Sequence, residues 1–179
     1  TDLNSYYQSL EMKIDILPVD HFAVSRIAQL TQRTNQFNLT TKRYSDDEII
    51  QFMNSEDHDV LLLKLSDKFG EMGIVGLQIL DYKHSDRAKI DSFMMSCRII
   101  GRGVENVFLK AGIDKSLKRN YRKIEGCYVK SDKNALVADF YLNNGFKRSS
   151  SEGNKYIYQL DNFRNIVPFE NYFKEINIK

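Results

Sequence analysis

The sequence predicts an α/β domain with a mixed sheet and helices on its faces. Short β-rich runs recur along the chain, amphipathic runs at helical spacing fall between them, and the order β-α-α-β-β-β-α-β-α-β-β combines hairpins with crossovers. A chain of 179 residues with 42% hydrophobic and 28% charged side chains makes one ordinary globular domain, well away from disordered composition. Net charge is only +2, so bulk charge gives nucleic acid no support as a partner. No apolar run approaches the roughly 18 residues of a membrane span, and the N-terminus has no signal-peptide core. Cys97 and Cys127 are too few for a disulfide framework, which points to a reducing, cytoplasmic setting.

Each element has its own signal. Leu3, Tyr6, Tyr7 and Leu10 recur at helical spacing, ahead of a strand that alternates Met12, Ile14 and Ile16 and ends at Pro18. Asp20 caps a helix marked by Phe22, Ile27 and Leu30, and Ser45 with Glu48 forms a capping box for a second helix through Phe52. Two β-rich runs, VLLLKLS and EMGIVGLQILDY, flank a hairpin signal, and AKIDSFMMS follows as a further strand. Val104, Val107, Phe108 and Ala111 make a helical stripe, KIEGCYVK returns to strand, and NALVADFYLNN is a helix stopped by Gly145. FKRSS and KYIYQL close as a strand pair. Phe169, Tyr172, Phe173 and Ile176 follow helical spacing. The expected organisation is therefore a linker helix over 1–10, a body over 11–162, and an amphipathic helix over 163–179 docked on it.

The stretch SCRIIGRGVENV carries the first chemical signal. Gly101 and Gly103 lack the third glycine of a dinucleotide fingerprint and the lysine of a P-loop, leaving R-x-x-G-x-G between a strand and a helix. Such a turn lets backbone approach a diphosphate, with the first N–H groups of the helix as donors and Arg98 and Arg102 adding charge. The bland alternative is a tight strand-to-helix connection. NALVADFYLNNGF has a bland reading too, as ordinary helix filling.

Together, R-x-x-G-x-G and N-x-x-A…Y-x-x-x-G-F resemble the GNAT acyltransferase fold, a mixed, mostly antiparallel sheet with helices on both faces. The resemblance implies a pocket where AKIDSFMM and KIEGCYV splay apart. Coenzyme A would lie along Met95, Arg98, Ile99, Ile100, Gly101, Arg102, Gly103 and Val104. Asn134 would meet the pantetheine arm, and a backbone N–H near Met95 would polarise the thioester carbonyl. Tyr141 would protonate the departing thiolate, with Asp91 as a base. Thr40, Thr41, Arg43 and Tyr44 would take the second substrate. Ile99, where a glycine is common in the family, would narrow the diphosphate site.

RIAQLTQRTNQFNLTTKRYSDDEI, SCRIIGRGVE and NALVADFY together look like the C-terminal domain of FkbH-like proteins, over about Ser9 to Leu160. That resemblance implies a phosphopantetheine thioester, on an acyl carrier protein or coenzyme A, in glyceryl or methoxymalonyl extender-unit biosynthesis. It also implies an upstream HAD-type phosphatase domain, which lies outside the blocks that carry the resemblance. Lys115, Lys118, Arg119, Arg122 and Lys123 read as a solvated helix end, or as the surface that meets a carrier protein or a coenzyme A 3′-phosphate. His21, His58 and His84 show no metal spacing, so no metal is expected, and Cys97 reads as a small buried hydrophobe. The rival classes are a binding module that positions a carrier arm for a HAD-like partner without turnover, and a structural dimerisation domain.

Overall fold

The computed structural model describes residues 2–166, 168, 169 and 171–179. Thr1, Val167 and Glu170, which the sequence assigns to the terminal helices, lie outside the described residues.

Eight strands form one sheet: β1 (Lys13–Pro18), β2 (His58–Asp67), β3 (Gly70–Asp81), β4 (Ala88–Met95), β5 (Ile124–Val129), β6 (Lys147–Glu152), β7 (Lys155–Leu160) and β8 (Glu175–Ile178). Their spatial order is β6-β7-β5-β4-β3-β2-β1-β8, antiparallel except for β4 against β5 and β1 against β8. The alternation read in the sequence is what the sheet buries: Met12, Ile14 and Ile16 are all fully inside.

The two faces have separate cores. On one, α2 (Val24–Arg33) and α3 (Asp46–Met53) bury Val24, Ile27 and Ile49 against Leu62, Leu77 and Met94. Ser45 and Glu48 make the expected reciprocal cap at the start of α3. On the other face, α4 (Val104–Lys118) lays Val104, Val107, Phe108 and Ala111 on Phe93 and Met95. The short α1 (Leu3–Ser9) and α5 (Phe140–Asn143) belong to that side, through partly buried Tyr7 and through Phe140 and Tyr141.

Three expectations are corrected. The described residues of 163–179 form no α-helix: they hold a short turn at Phe163–Asn165 and β8, which pairs in parallel with the edge strand β1. Ile176 and Ile178 also alternate, and the unpaired edge of β1 selects that period over the helical one. Phe22 is not on a helix's inner face but in a turn before α2, 99% exposed. The Asn134–Asn144 helix is broken into a turn at Ala135–Val137 and the four-residue α5, because Asp139 between them has left helical geometry (φ −102°, ψ 11°).

Candidate functional site

The expected pocket begins where two central strands separate. β4 and β5 pair only from Ala88↔Ile124 to Ile90↔Gly126, and beyond this β4 runs on without β5. Asp91 is the extra residue of a bulge there, between Ile90 and Ser92, which face Leu80 and Ile79. A fork of this kind leaves backbone donors and acceptors inside the protein, and they need partners. The chain supplies them. The Met95 N–H donates to the Phe37 carbonyl (2.9 Å), the Leu39 N–H donates to Phe93 (3.2 Å), and the Val129 N–H donates to Leu39 (2.8 Å). Phe37–Leu39 is thus a third strand wedged between β4 and β5, with Asn38 bridging Met94. Phe37 packs at a tilt on Phe93 and edge-to-face on Phe140, and Leu39 is fully buried.

Asn38 winds the rest of the loop around itself. Its side-chain oxygen accepts from the Thr40 and Thr41 N–H groups, and its amide donates to the Lys42 carbonyl. Asn134, expected to meet a pantetheine arm, instead donates to the Asn38 and Val129 carbonyls (both 2.9 Å). Its own oxygen accepts from Ser131 N–H and the Tyr128 hydroxyl, so the amide is fully engaged in holding the wedge. The Met95 N–H is taken by the Phe37 carbonyl, so in this conformation it is not open to a thioester carbonyl.

The glycine turn joins β4 to α4 as expected, with Gly101 (φ +85°) and Gly103 (φ +77°) in the left-handed region. A cavity of about 300 Å³ lies between this turn and α5, walled by Phe37, Ile100, Gly101, Glu105, Asn106 and Phe140 among others. No cation lines it. Arg102 bonds Asp67 at 3.4 Å, and Arg98 bonds the Met72 carbonyl and lines a different cavity. The Glu105 side chain stands where an anion was expected. Burial pushes its carboxyl above the usual value, against the lowering pull of the Glu105 and Gly103 backbone N–H groups, and one of its oxygens is buried without a hydrogen-bond partner among the described residues. Ile99 and Val104 are core residues with no exposed surface. Gly103 is covered: a Cβ there would lie 2.2 Å from the Tyr172 hydroxyl, which donates to the Arg102 carbonyl. A bulky residue at Gly103 therefore disrupts folding as well as any ligand.

Tyr141 is 1% exposed, and its ring lies against Gly126, where a Cβ would approach Tyr141 Cζ to 2.5 Å. Its hydroxyl is buried without a hydrogen-bond partner among the described residues, and burial pushes its pKa well above the ordinary value. In this conformation it cannot deliver a proton to a thiolate. Asp91 accepts from Tyr44 Oη (2.6 Å), Lys42 Nζ (2.9 Å) and Ser92 Oγ (2.7 Å). Burial raises its pKa, but the Tyr44, Lys42 and Ser92 hydrogen bonds and the Lys42 charge hold it below the usual carboxylate range, so it is a poor base. Tyr44 titrates far above the ordinary phenol because of burial and its bond to Asp91.

Of the expected acceptor residues, Thr40 borders a polar cavity of about 250 Å³ with Lys42, Asp91, Glu125 and Cys127. Thr41 and Arg43 border a separate one, and Arg43 spends its guanidinium on the Thr31 and Gln32 carbonyls and Asn35. The basic run sits at the far end of α4, about 20 Å from the glycine turn by helix rise, out of reach of a diphosphate there. Arg119 is paired with Asp59 and stacked on Tyr82, and Lys115 donates to the Lys179 carbonyl, while Lys118 and Arg122 are exposed and Lys123 half-buried. Cys97 is exposed rather than buried. No group of His, Cys, Asp and Glu side chains that could hold a metal occurs among the described residues, nor a helix long and apolar enough to cross a membrane.

Known structures settle what this architecture is. The GNAT domain of S. lividans PAT matches with a TM-score of 0.65 at 14% identity, over 82% of this chain and 89% of that one. This is the GNAT acyltransferase fold. The PaiA N-acetyltransferase from Thermoplasma acidophilum, solved in complex with coenzyme A, matches with a TM-score of 0.62 at 13% identity, over 84% and 99% of the two chains. An acetyltransferase from Thermus thermophilus matches at 0.63 and 14%, over 84% and 98%. At these identities the likeness concerns the GNAT fold itself. No protein-family model and no curated protein matches the sequence.

Sequence reasoning missed Phe37–Leu39 and Glu105. The only local sign of the first was two large apolar residues, two apart, inside a polar run.

Two outcomes follow. Tyr141→Phe removes an unpartnered buried hydroxyl and should leave stability unchanged or raise it by up to about 2 kcal/mol in urea denaturation; a loss above that range would show that the hydroxyl has a partner. Asp91→Asn should cost about 1–3 kcal/mol at pH 7, where the carboxylate is bonded by charged and neutral donors. Because the folded pKa of Asp91 is lowered, its contribution is present above its unfolded value of about 3.9 and fades as pH falls through the folded one. The gap between wild type and variant should therefore close on titration below that value, and a gap that widened would contradict the bonding described.

Proposed function

We propose that this GNAT-fold chain handles pantetheine thioesters for acyl transfer through a cleft that its own Phe37–Thr40 segment gates. The observation that carries this reading is the wedge itself: Phe37–Leu39 hydrogen-bonds to β4 and β5 in the fork where the fold would seat a pantetheine arm. Asn134 then has one task in either state, donating to the carbonyl that fills the fork, which is now that of Asn38. The FkbH-like resemblance supports a carrier-protein-bound glyceryl or methoxymalonyl-type unit as the thioester, and the exposed Lys118 and Arg122 as part of the docking face.

Magnitudes decide what can open the gate. Breaking three backbone bonds at about 0.5–1.5 kcal/mol each and exposing Phe37 and Leu39 at about 1.5–3 kcal/mol each costs roughly 5–10 kcal/mol. A ligand of micromolar intrinsic affinity brings about 8 kcal/mol, so coenzyme A alone spends nearly all of its binding on opening. It also meets the Glu105 carboxylate where its diphosphate would go. A carrier protein adds a second contact surface and is the better opener. A second reading, a non-turnover module that positions a carrier arm for a HAD-like partner, draws on the sealed Tyr141 hydroxyl and the low-pKa Asp91.

Calorimetry with coenzyme A, an acyl-coenzyme A and phosphopantetheinylated carrier protein separates these. Wild type should bind coenzyme A no tighter than the millimolar range, about −4 kcal/mol. Phe37→Ala, which loosens the wedge and removes no donor to the arm, should tighten binding by tenfold or more, whereas Asn134→Ala, which removes a bond in both states, should change it little. Micromolar binding to wild type, unchanged in Phe37→Ala, would refute the gate. Acyl transfer from the loaded carrier supports the enzyme, and binding without transfer supports the positioning module.

A further inference from the structure

The sheet face opposite the thioester cleft carries a second cavity, of about 320 Å³, near the lower limit for small-molecule sites. One wall is α2, which presents Arg26, Gln29 and Arg33; the other is the turn after β4, with Ser96, Cys97 and Arg98. Arg26 and Arg33 are seven residues apart on one helix, so their stems leave the axis about 10 Å apart. Among the described residues no acidic side chain lines the cavity, and none of the three arginines forms an ion pair. Arg98 bonds only neutral groups, the Met72 carbonyl and the Ser96 hydroxyl.

This concentration of positive charge has no internal explanation. Arg33 complements the C-terminal end of the α2 dipole, but Arg26 is the third residue of α2, where the dipole disfavours a cation. Elsewhere Arg87, Arg102 and Arg119 are matched to carboxylates, while Arg43, Arg122, Arg148 and Arg164 form no ion pair among the described residues either. What sets Arg26, Arg33 and Arg98 apart is that all three line one cavity. An anion between the walls would receive charge-assisted, forked hydrogen bonds from planar guanidinium groups, the geometry that suits phosphate.

We propose that the cavity walled by Arg26, Arg33 and Arg98 is a binding site for a small phosphate-bearing ligand, on the opposite face of the sheet from the gated cleft. The site does not depend on the gate. It does touch both anchors of the wedge: Thr34 lies three residues before Phe37, and Ser96 follows Met95, whose N–H holds Phe37. The phosphate could belong to a free phosphate ester or to a phosphopantetheine arm.

The test is calorimetric titration of the full chain with inorganic phosphate, 4′-phosphopantetheine and pantetheine. Both phosphate-bearing compounds should bind, pantetheine should not, and affinity should fall with added salt. Arg26→Ala and Arg33→Ala should each weaken binding about tenfold, and Arg33→Lys, which keeps charge but loses the fork, by less. Both positions are exposed, and thermal denaturation verifies that the variants are folded. Phosphopantetheine binding tenfold tighter than phosphate supports the site with a pantetheine arm as the source, and equal affinities support it with a free ester. Absence of phosphate binding to the folded wild type would overturn the proposal. So would binding that survives the combined Arg26→Ala and Arg33→Ala change, which would place the ligand in the cleft.

Discussion

An open fork between parallel strands is a debt of unpaired backbone groups, and the structure depends on how that debt is settled. β4 leaves β5 after Ile90, and the N–H of Met95 and the carbonyl of Phe93 then face inward with no neighbouring strand. Leaving such groups buried and unpaired costs about 1–3 kcal/mol each. Phe37–Leu39 removes that cost by pairing with both strands at once, and its side chains complete the aromatic packing of Phe93 and Phe140. The fold therefore tolerates a fork with no ligand in it.

The electrostatics around the fork agree with a closed state. Among the described residues, the cavity beside the glycine turn holds the Glu105 carboxyl and no cation, while Arg98 and Arg102 are engaged with Met72 and Asp67. Tyr7 and Tyr172 donate to the Gly101 and Arg102 carbonyls, so α1 and the C-terminal segment clamp the turn from outside. Beside the wedge, the Thr40 hydroxyl and one Glu105 oxygen are buried without a hydrogen-bond partner among the described residues. Their desolvation is the part of the closed state that a ligand able to bond them would relieve.

What the sequence made legible was local and periodic. Alternation at Met12, Ile14 and Ile16, the Ser45–Glu48 box and the Val104–Ala111 stripe all correspond to elements in the structure. The misassigned parts are those decided by distant partners. The segment Phe169–Ile176 satisfies helical spacing by coincidence, and its end becomes a strand because β1 offers an edge. Phe37 and Leu39 look like loop residues until β4 and β5 are seen to diverge. The glycine turn was correctly placed between strand and helix, but side-chain direction at Arg98, Arg102 and Tyr141 depends on packing against Met72, Asp67 and Gly126, which lie far away in the chain.

The wedge is the claim on which the rest turns, and amide hydrogen exchange measures it residue by residue. In the ligand-free chain the amides of Leu39, Met95 and Val129 should be protected to the same degree as those of the β3–β4 ladder, as expected for groups that open only with the core. On adding a phosphopantetheinylated carrier protein, protection should fall at Leu39 while the amides bonded between β3 and β4 stay protected. Rapid exchange at Leu39 and Met95 in the folded, ligand-free chain would contradict the account, because it would mean that the fork stands open in solution.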